Sequence, residues 1–226
     1  NGQKMSKSLG NVIDPVYLTN KYGVDGLRYF YAREIPFGND GDFSEEALRT
    51  RLNNELANEL GNLVSRTLTL IEKKLKSEVK KDTTDKSLFE NLNVKKIDKF
   101  MENLEPHNAI ASIFGFIQDC NYYINNKAPW QIEKKEELNK ILYNLADALR
   151  IISILIQPFI PNASEKINKQ LGLEDKSPLT LTICKPGLLQ TTKIKKGEIL
   201  FTKVLTKEEE KGEAKFSNIK CYVEPA

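Results

Sequence analysis

Residues 44–75, SEEALRTRLNNELANELGNLVSRTLTLIEKKL, decide the fold class of this chain. Ser44 is a favoured helix N-cap residue, and the two glutamates after it suit the positive end of a helix dipole. Leucines then recur at spacings of three, four and seven residues, which is the pattern of one buried helix face. They are Leu48, Leu52, Leu56, Leu60, Leu63 and Leu70. The pattern predicts one long amphipathic helix that ends near Leu75.

Helical patterns continue on both sides of this stretch. Upstream, Asp14-Pro15 predicts a helix start and Gly23 a stop, with a second short helix over residues 25–33. Downstream, a charged linker at 77–86 precedes further predicted helices at 88–104, 106–126, 138–156 and 162–171. Extended structure is predicted at 180–183, 199–205 and 218–223. The fold class is therefore mainly α: an antiparallel bundle of about five helices with short extended segments at the C-terminus.

Composition excludes several classes of function. The chain has 226 residues, 40% apolar and 29% charged, as in soluble globular proteins. No apolar run approaches the roughly 18 residues of a membrane span. Three distant cysteines and a single histidine disfavour a zinc ribbon, a histidine-based metal site and a Ser-His-Asp triad, so we expect no metal site. The net charge of +3 is too small to indicate a nucleic-acid partner by itself.

One short motif carries chemistry. Lys4-Met5-Ser6-Lys7-Ser8 places two ammonium groups and two hydroxyls on a loop flanked by Gly2 and Gly10. Ammonium groups neutralise phosphate charge, and hydroxyls add hydrogen bonds that tighten as charge develops. The alternative is a lysine- and serine-rich tail without function. The chain opens at Asn1 inside this glycine turn, so we expect a piece of a longer protein.

The motif resembles the KMSKS signature of class I aminoacyl-tRNA synthetases, and further motifs narrow the resemblance to the methionyl-tRNA synthetase family. These are YGVD at 22–25, REIPFG at 33–38, DGDFS at 40–44, LGNL at 60–63 and APW at 128–130. The resemblance implies a C-terminal remnant of a class I catalytic domain followed by the helical anticodon-binding domain. The implied domains are residues 1–43, residues 44–186, and a C-terminal extension at 187–226 that packs on the catalytic domain.

The resemblance also implies an activity for the whole enzyme. Such enzymes activate methionine with ATP and Mg²⁺ and transfer it to tRNA(Met). Met5, Ser6 and Ser8 would bind ATP together with Lys4 and Lys7, and these two lysines would act catalytically on the departing pyrophosphate. The ATP-binding half and the methionine pocket would lie before residue 1. We therefore expect this chain to be inactive alone. We also expect the protein to be monomeric and cytoplasmic.

Three positions match the residues with which the family recognises the CAU anticodon: Asn62, Arg66 and Trp130. Asn62 and Arg66 are four apart and share a helix face, and a tryptophan can stack an extruded base. The alternatives are an ordinary polar helix face and a core tryptophan. Relatives often carry an acidic residue five positions before the tryptophan, where this chain has Asn125.

Three basic residues follow the loop: Lys21, Arg28 and Arg33. The resemblance implies that they contact the tRNA backbone, and the alternative is that they are ordinary solvated surface residues.

Two other hypotheses for the whole chain stay open. It could be a fragment of another class I synthetase, such as the cysteinyl type, or a helical interaction module with no RNA function.

Overall fold

The computed structural model describes residues 13–173 and 180–205. Before the bundle lie two short helices, α1 (Pro15–Tyr22) and α2 (Val24–Glu34). The long helix follows as α3 (Glu45–Arg51), a π-helical segment (Leu52–Gly61) and α4 (Asn62–Leu75). The remaining elements in chain order are β1 (Glu78–Val79), a 3₁₀ turn (Lys86–Phe89), α5 (Val94–Glu102), α6 (Pro106–Lys127), a 3₁₀ turn (Pro129–Gln131), α7 (Lys135–Ile156), α8 (Pro161–Gln170), a 3₁₀ turn (Leu181–Ile183) and β2 (Thr192–Lys193).

The two short upstream helices begin and end where the sequence predicts. The Val16 amide donates to Asp14 Oδ1 over 2.9 Å, which caps α1. Gly23 ends it at φ +77°, a left-handed conformation that glycine adopts without strain. The predicted pair of helices is confirmed.

The predicted long helix is confirmed, with one difference in its hydrogen bonding. The Ala47 amide donates to Ser44 Oγ over 3.0 Å at its start, and helical structure then runs unbroken to Leu75. Ten residues in the middle, Leu52–Gly61, form the wider i→i+5 turns of a π-helix. The wider turn fits the leucines here, because they recur at every fourth position and all lie buried in the core. On a 3.6-residue turn such a row would drift around the helix, and a wider turn reduces that drift.

The core of the bundle surrounds α7. Every residue from 141 to 156 is buried, and α7 packs against α4, α6 and α8. A helix buried all round needs its polar residues satisfied, and Asp147 and Arg150 pair with each other over 2.8 Å. α6 packs against α5 and α7 and also against α2, so it joins the upstream helices to the bundle.

One helix prediction is wrong in extent. The sequence predicts a single helix over 88–104, whereas the chain forms a 3₁₀ turn at Lys86–Phe89 and then α5 at Val94–Glu102. Asn93 starts α5 anew, because its Oδ1 accepts from the Lys96 amide over 3.0 Å. Asparagine competes with the backbone for hydrogen bonds and therefore favours a cap over a helix interior.

The C-terminal segments are also corrected. Residues 180–183 contain a 3₁₀ turn rather than a strand, and 199–205 form no strand; the prediction for 218–223 lies outside the described residues. The extended pairing lies elsewhere: β2 pairs antiparallel with β1, Glu78 opposite Lys193 and Val79 opposite Thr192. Leu189, Ile194 and Leu200 are buried, so the described part of the C-terminal extension packs on the bundle.

No helix in residues 13–173 and 180–205 combines the length and the apolar character that a membrane span requires.

Candidate nucleic-acid interface

α4 and α6 lie side by side and run in the same direction. Just before α4, Glu59 of the π-helical segment contacts the second half of α6: Gln118 Nε2 donates to Glu59 Oε1 over 3.1 Å, and Asn121 Nδ2 donates to the Glu59 carbonyl over 3.2 Å. Further along both helices, Arg66 Nη2 donates to Asn125 Oδ1 over 2.8 Å. Residue numbers rise together along the contact, which fixes the register of the two helices.

The three predicted anticodon-binding residues lie on this surface. Asn62 is exposed on the first turn of α4, and Arg66 follows one turn later. The Arg66 guanidinium carbon lies 5.6 Å from the centre of the Trp130 ring. Trp130 is 42% exposed, so the alternative of a core tryptophan is wrong. The structure thus brings Arg66 and Trp130 into contact. Asn62 lies one turn earlier on α4, about 6 Å from Arg66 along the helix axis.

The turn after α6 holds Trp130 at the surface. α6 ends at Lys127, and Ala128 takes a left-handed conformation with φ +41°, which is uncommon for a residue with a side chain. Pro129 is buried and fixes the next turn, while the Trp130 carbonyl accepts from Lys74 Nζ over 3.3 Å. The backbone is therefore anchored from both sides, and the ring remains open to solvent.

Asn125 orients Arg66 without neutralising it. Its amide oxygen accepts one N–H of the guanidinium. Within the described residues Arg66 has no carboxylate partner, so its positive charge is available to an anionic ligand. An aspartate in place of Asn125 would form an ion pair there and compete with that ligand.

Sequence reasoning missed Tyr122 as a member of this surface. It lies on α6, three residues before Asn125, and is 70% exposed. A stacking role could have been suspected from its spacing, since residues three apart share a helix face. That inference required knowing which face of α6 is exposed beside α4, and the sequence does not show this.

Arg28 and Lys21, two of the residues predicted to contact the tRNA backbone, have partners within this chain. Arg28 donates to the Phe159 carbonyl over 3.0 Å and to the Pro158 carbonyl over 2.7 Å, which joins α2 to the end of α7. Lys21 forms an exposed ion pair with Glu45 over 2.7 Å. This contact raises the pKa of Lys21 and lowers that of the Glu45 carboxyl, since each charge stabilises the other.

Arg33, the third of these residues, belongs to a half-buried cluster around Glu55. Arg51 Nη1 lies 2.7 Å from Glu55 Oε1 and Arg33 Nη2 lies 3.4 Å from the same atom. The buried Tyr29 hydroxyl donates to the other carboxylate oxygen. Burial raises the pKa of Tyr29, so its hydroxyl keeps its proton and the hydrogen bond.

Lys4, Met5, Ser6, Lys7 and Ser8 lie outside the described residues, and their predicted role in ATP binding stays a prediction. Over residues 13–173 and 180–205, histidine, cysteine, aspartate and glutamate side chains form no group of three or more that could hold a metal ion.

Comparison with known proteins identifies the class first. The model "Anticodon-binding domain of tRNA ligase" matches residues 85–220, more than half of the chain, and "tRNA synthetases class I (M)" matches residues 1–68. The chain therefore belongs to the anticodon-binding domain family of the tRNA ligases. Its particular resemblance is to methionyl-tRNA synthetases, and the interpretation of the motifs is confirmed.

Individual relatives agree with this assignment. The methionine–tRNA ligase of Caldanaerobacter subterraneus is 45% identical over 214 residues, and that of Bacillus subtilis is 42% identical over 219 residues. These matches cover 90% and 91% of this chain and 33% of each relative, so the chain spans about a third of their length. Mycobacterium tuberculosis methionyl-tRNA synthetase bound by methionyl-adenylate superposes with a TM-score of 0.80 at 33% identity, over 88% of this chain and 42% of that one.

Proposed function

We propose that this chain is the C-terminal part of a methionine–tRNA ligase and that its helical bundle recognises the CAU anticodon of tRNA(Met). The observation that carries the proposal is the exposed Trp130 ring with the Arg66 guanidinium beside it. An exposed aromatic ring next to an unpaired cation suits an unstacked, negatively charged RNA loop.

Each side chain has a distinct role in this proposal. The Trp130 ring stacks a base that has left the anticodon loop, worth roughly 1–3 kcal/mol. Arg66 has donors in addition to the one that Asn125 occupies, and they can reach a base edge or a phosphate. The exposed Asn62 amide offers both donor and acceptor to the edge of a neighbouring base. Together they discriminate bases by hydrogen bonding and hold them by stacking.

The whole enzyme would activate methionine with ATP and Mg²⁺, release AMP and transfer the methionine to tRNA(Met). The chemistry of Lys4–Ser8 fits the ATP phosphates, because ammonium and hydroxyl groups are suitable donors to phosphate oxygens. Lys4 and Lys7 would stabilise the negative charge that develops as pyrophosphate leaves. The solved relative bound by methionyl-adenylate supports the activation of methionine with ATP in the whole enzyme. This chain is inactive without the remaining two thirds of the enzyme.

The finer assignments follow from the same proposal. Residues 1–43 belong with the catalytic domain, 44–186 form the anticodon-binding domain, and 187–226 form the extension. Lys21 is the best placed of the basic residues to contact the tRNA backbone, since Arg28 and Arg33 donate to carbonyls and to Glu55 within the fold. We propose a monomeric, cytoplasmic protein.

The test is a binding titration of the 226-residue chain with a CAU anticodon stem-loop. A loop altered at its first anticodon base serves as the control RNA, and both are measured at two salt concentrations. We expect the CAU loop to bind more tightly by the roughly 1–3 kcal/mol of one base contact. Trp130→Ala should remove most of the binding, whereas Phe37→Ala, which alters a 70% exposed ring outside this surface, should leave it unchanged.

Two results would contradict the proposal. Equal binding of both loops would favour a fragment of a different class I synthetase, such as the cysteinyl type. No salt-dependent binding would favour a helical interaction module, because phosphate contacts make log K fall linearly with log salt concentration.

A further inference from the structure

Tyr122 is an exposed aromatic side chain on the same surface as Asn62 and Arg66. Its ring is 70% exposed, and within the described residues it makes no ring contact and its hydroxyl forms no hydrogen bond. Single exposed rings are common on proteins and need no ligand. The position of this ring relative to α4 is what distinguishes it.

The register of α4 and α6 places Tyr122 at the same level along the helices as Asn62. Glu59 contacts Gln118, and Arg66 contacts Asn125. Asn62 lies between Glu59 and Arg66 along its helix, just as Tyr122 lies between Gln118 and Asn125. Because the two helices run in the same direction, Tyr122 and Asn62 occupy equivalent levels of the surface.

The surface therefore has one aromatic ring at the level of each member of the polar pair. Trp130 lies at the Arg66 level and Tyr122 at the Asn62 level, about 6 Å apart along the helix axis. One base needs only one stacking partner, and the second ring is available for another. A loop of single-stranded RNA presents several unstacked bases in succession.

We infer that Tyr122 is a second stacking platform, which takes an unstacked base adjacent in the RNA to the base on Trp130. The inference rests on the proposed function of this surface. A tyrosine ring loses little conformational entropy on binding, and stacking tolerates any base because every base has a π-face. Tyr122 therefore adds affinity, while Asn62 and Arg66 add the preference for particular bases.

The experiment compares Tyr122→Ala, Tyr122→Phe and the matched control Phe37→Ala in the 226-residue chain, with the CAU stem-loop as ligand. Stacking is worth about 1–3 kcal/mol per base, which at 1.4 kcal/mol per tenfold corresponds to about 5- to 140-fold. We expect Tyr122→Ala to weaken binding by that factor, whereas Tyr122→Phe and Phe37→Ala remain within about twofold of the original chain. The slope of log K against log salt should not change in Tyr122→Ala, since no phosphate contact is lost.

A second measurement identifies the base. Stem-loops that lack one base at a time are titrated with the original chain, Tyr122→Ala and Trp130→Ala. The effect of Tyr122→Ala should vanish with one abasic position and that of Trp130→Ala with the adjacent one. The inference fails if Trp130→Ala weakens CAU binding and Tyr122→Ala does not, or if one abasic position abolishes both effects. If the original chain does not prefer the CAU loop, the proposed function itself fails, which is a distinct result.

Discussion

Two polar regions of this molecule differ in how completely their hydrogen bonds are satisfied. On α7, Asp147 is fully buried and accepts from Arg150 Nε over 2.8 Å and from the Leu189 and Gly187 amides over 3.0 and 2.5 Å. On the α4–α6 surface, Asn62 is exposed, and Arg66 is fixed by a single side-chain hydrogen bond, to Asn125. The first region attaches the chain to itself, and the second leaves donors and rings available to a ligand.

The difference shows which polar residues to regard as functional. The donors of Arg150 also reach the Ile183 and Lys185 carbonyls over 2.8 and 2.7 Å, so this arginine closes the C-terminal segment onto the bundle. A buried polar group must be paired, and pairing by backbone atoms is sufficient reason for its presence. A half-exposed arginine beside an exposed tryptophan has no such explanation. Polar side chains whose hydrogen bonds are incomplete within the chain are therefore the candidates for ligand binding.

The largest effect is expected from Asp147→Ala. The substitution leaves the buried Arg150 charge without its carboxylate counter-ion and the Gly187 and Leu189 amides without an acceptor, which costs about 3–5 kcal/mol. The measurement is urea unfolding followed by circular dichroism. Arg66→Ala is the matched control, and it should change the free energy of unfolding by less than about 1 kcal/mol because its hydrogen bond lies at the surface. Similar losses in the two variants would contradict the contrast between the regions.

Arg66→Lys should weaken binding of the CAU stem-loop by an intermediate amount and leave the stability of the fold unchanged. The variant keeps the positive charge but loses the flat guanidinium that lies over Trp130 and donates to Asn125. We expect roughly 1–2 kcal/mol weaker binding of the CAU stem-loop, with an unchanged salt dependence and an unchanged unfolding curve. The stem-loop titration and the urea curve measure these. Full affinity in the lysine variant would mean that only the charge matters.

The smallest effect is expected at the exposed pair of Lys21 and Glu45. Lys21 holds the pKa of the Glu45 carboxyl below its ordinary value, so the stabilisation is present above that value and is lost as pH falls through the lowered one. Glu45→Gln should cost less than about 1 kcal/mol at pH 7, and the cost should shrink as the pH falls through the lowered pKa and the original carboxyl takes up a proton. Unfolding curves of both proteins over a series of falling pH values give the difference. A cost that does not shrink as the pH falls would show that the ion pair is not its source.

The sequence predicts much of this molecule because its signals are local. The leucine spacing, the caps at Asp14 and Ser44 and the stop at Gly23 are all short-range features, and the structure confirms them. The prediction of one helix over 88–104 failed because the hydrophobic periodicity continues through Asn93, where the side chain caps a new helix. The strand prediction at 180–183 failed at a segment whose last carbonyl, that of Ile183, accepts from Arg150 of α7; this contact is long-range, and no local pattern records it.

The candidate site could be predicted only in part, for a related reason. Asn62 and Arg66 share a helix face by spacing alone, whereas Asn125 on α6 and Trp130 in the turn after it contact Arg66 from about sixty residues later in the chain. Only the family resemblance connected Trp130 with Arg66 in advance. Tyr122 was missed since its membership depends on the register between α4 and α6. The engagement of Arg28 with the Pro158 and Phe159 carbonyls is likewise a long-range contact.

The π-helical segment also sets the direction in which the α4 surface proposed to bind RNA faces out of the bundle. Leu52–Gly61 comes immediately before Asn62, so the rotational phase of every later residue on this helix depends on the number of residues in it. Deleting one residue there would turn Asn62 and Arg66 around the helix axis relative to α3 by the rotation of one residue, which in these wider turns is somewhat less than the roughly 100° of an α-helix. The leucines beyond the deletion would then leave the core or force the recognition face inward. Insertions and deletions in this stretch are therefore constrained more tightly than substitutions, even though none of its ten residues is proposed to contact the RNA.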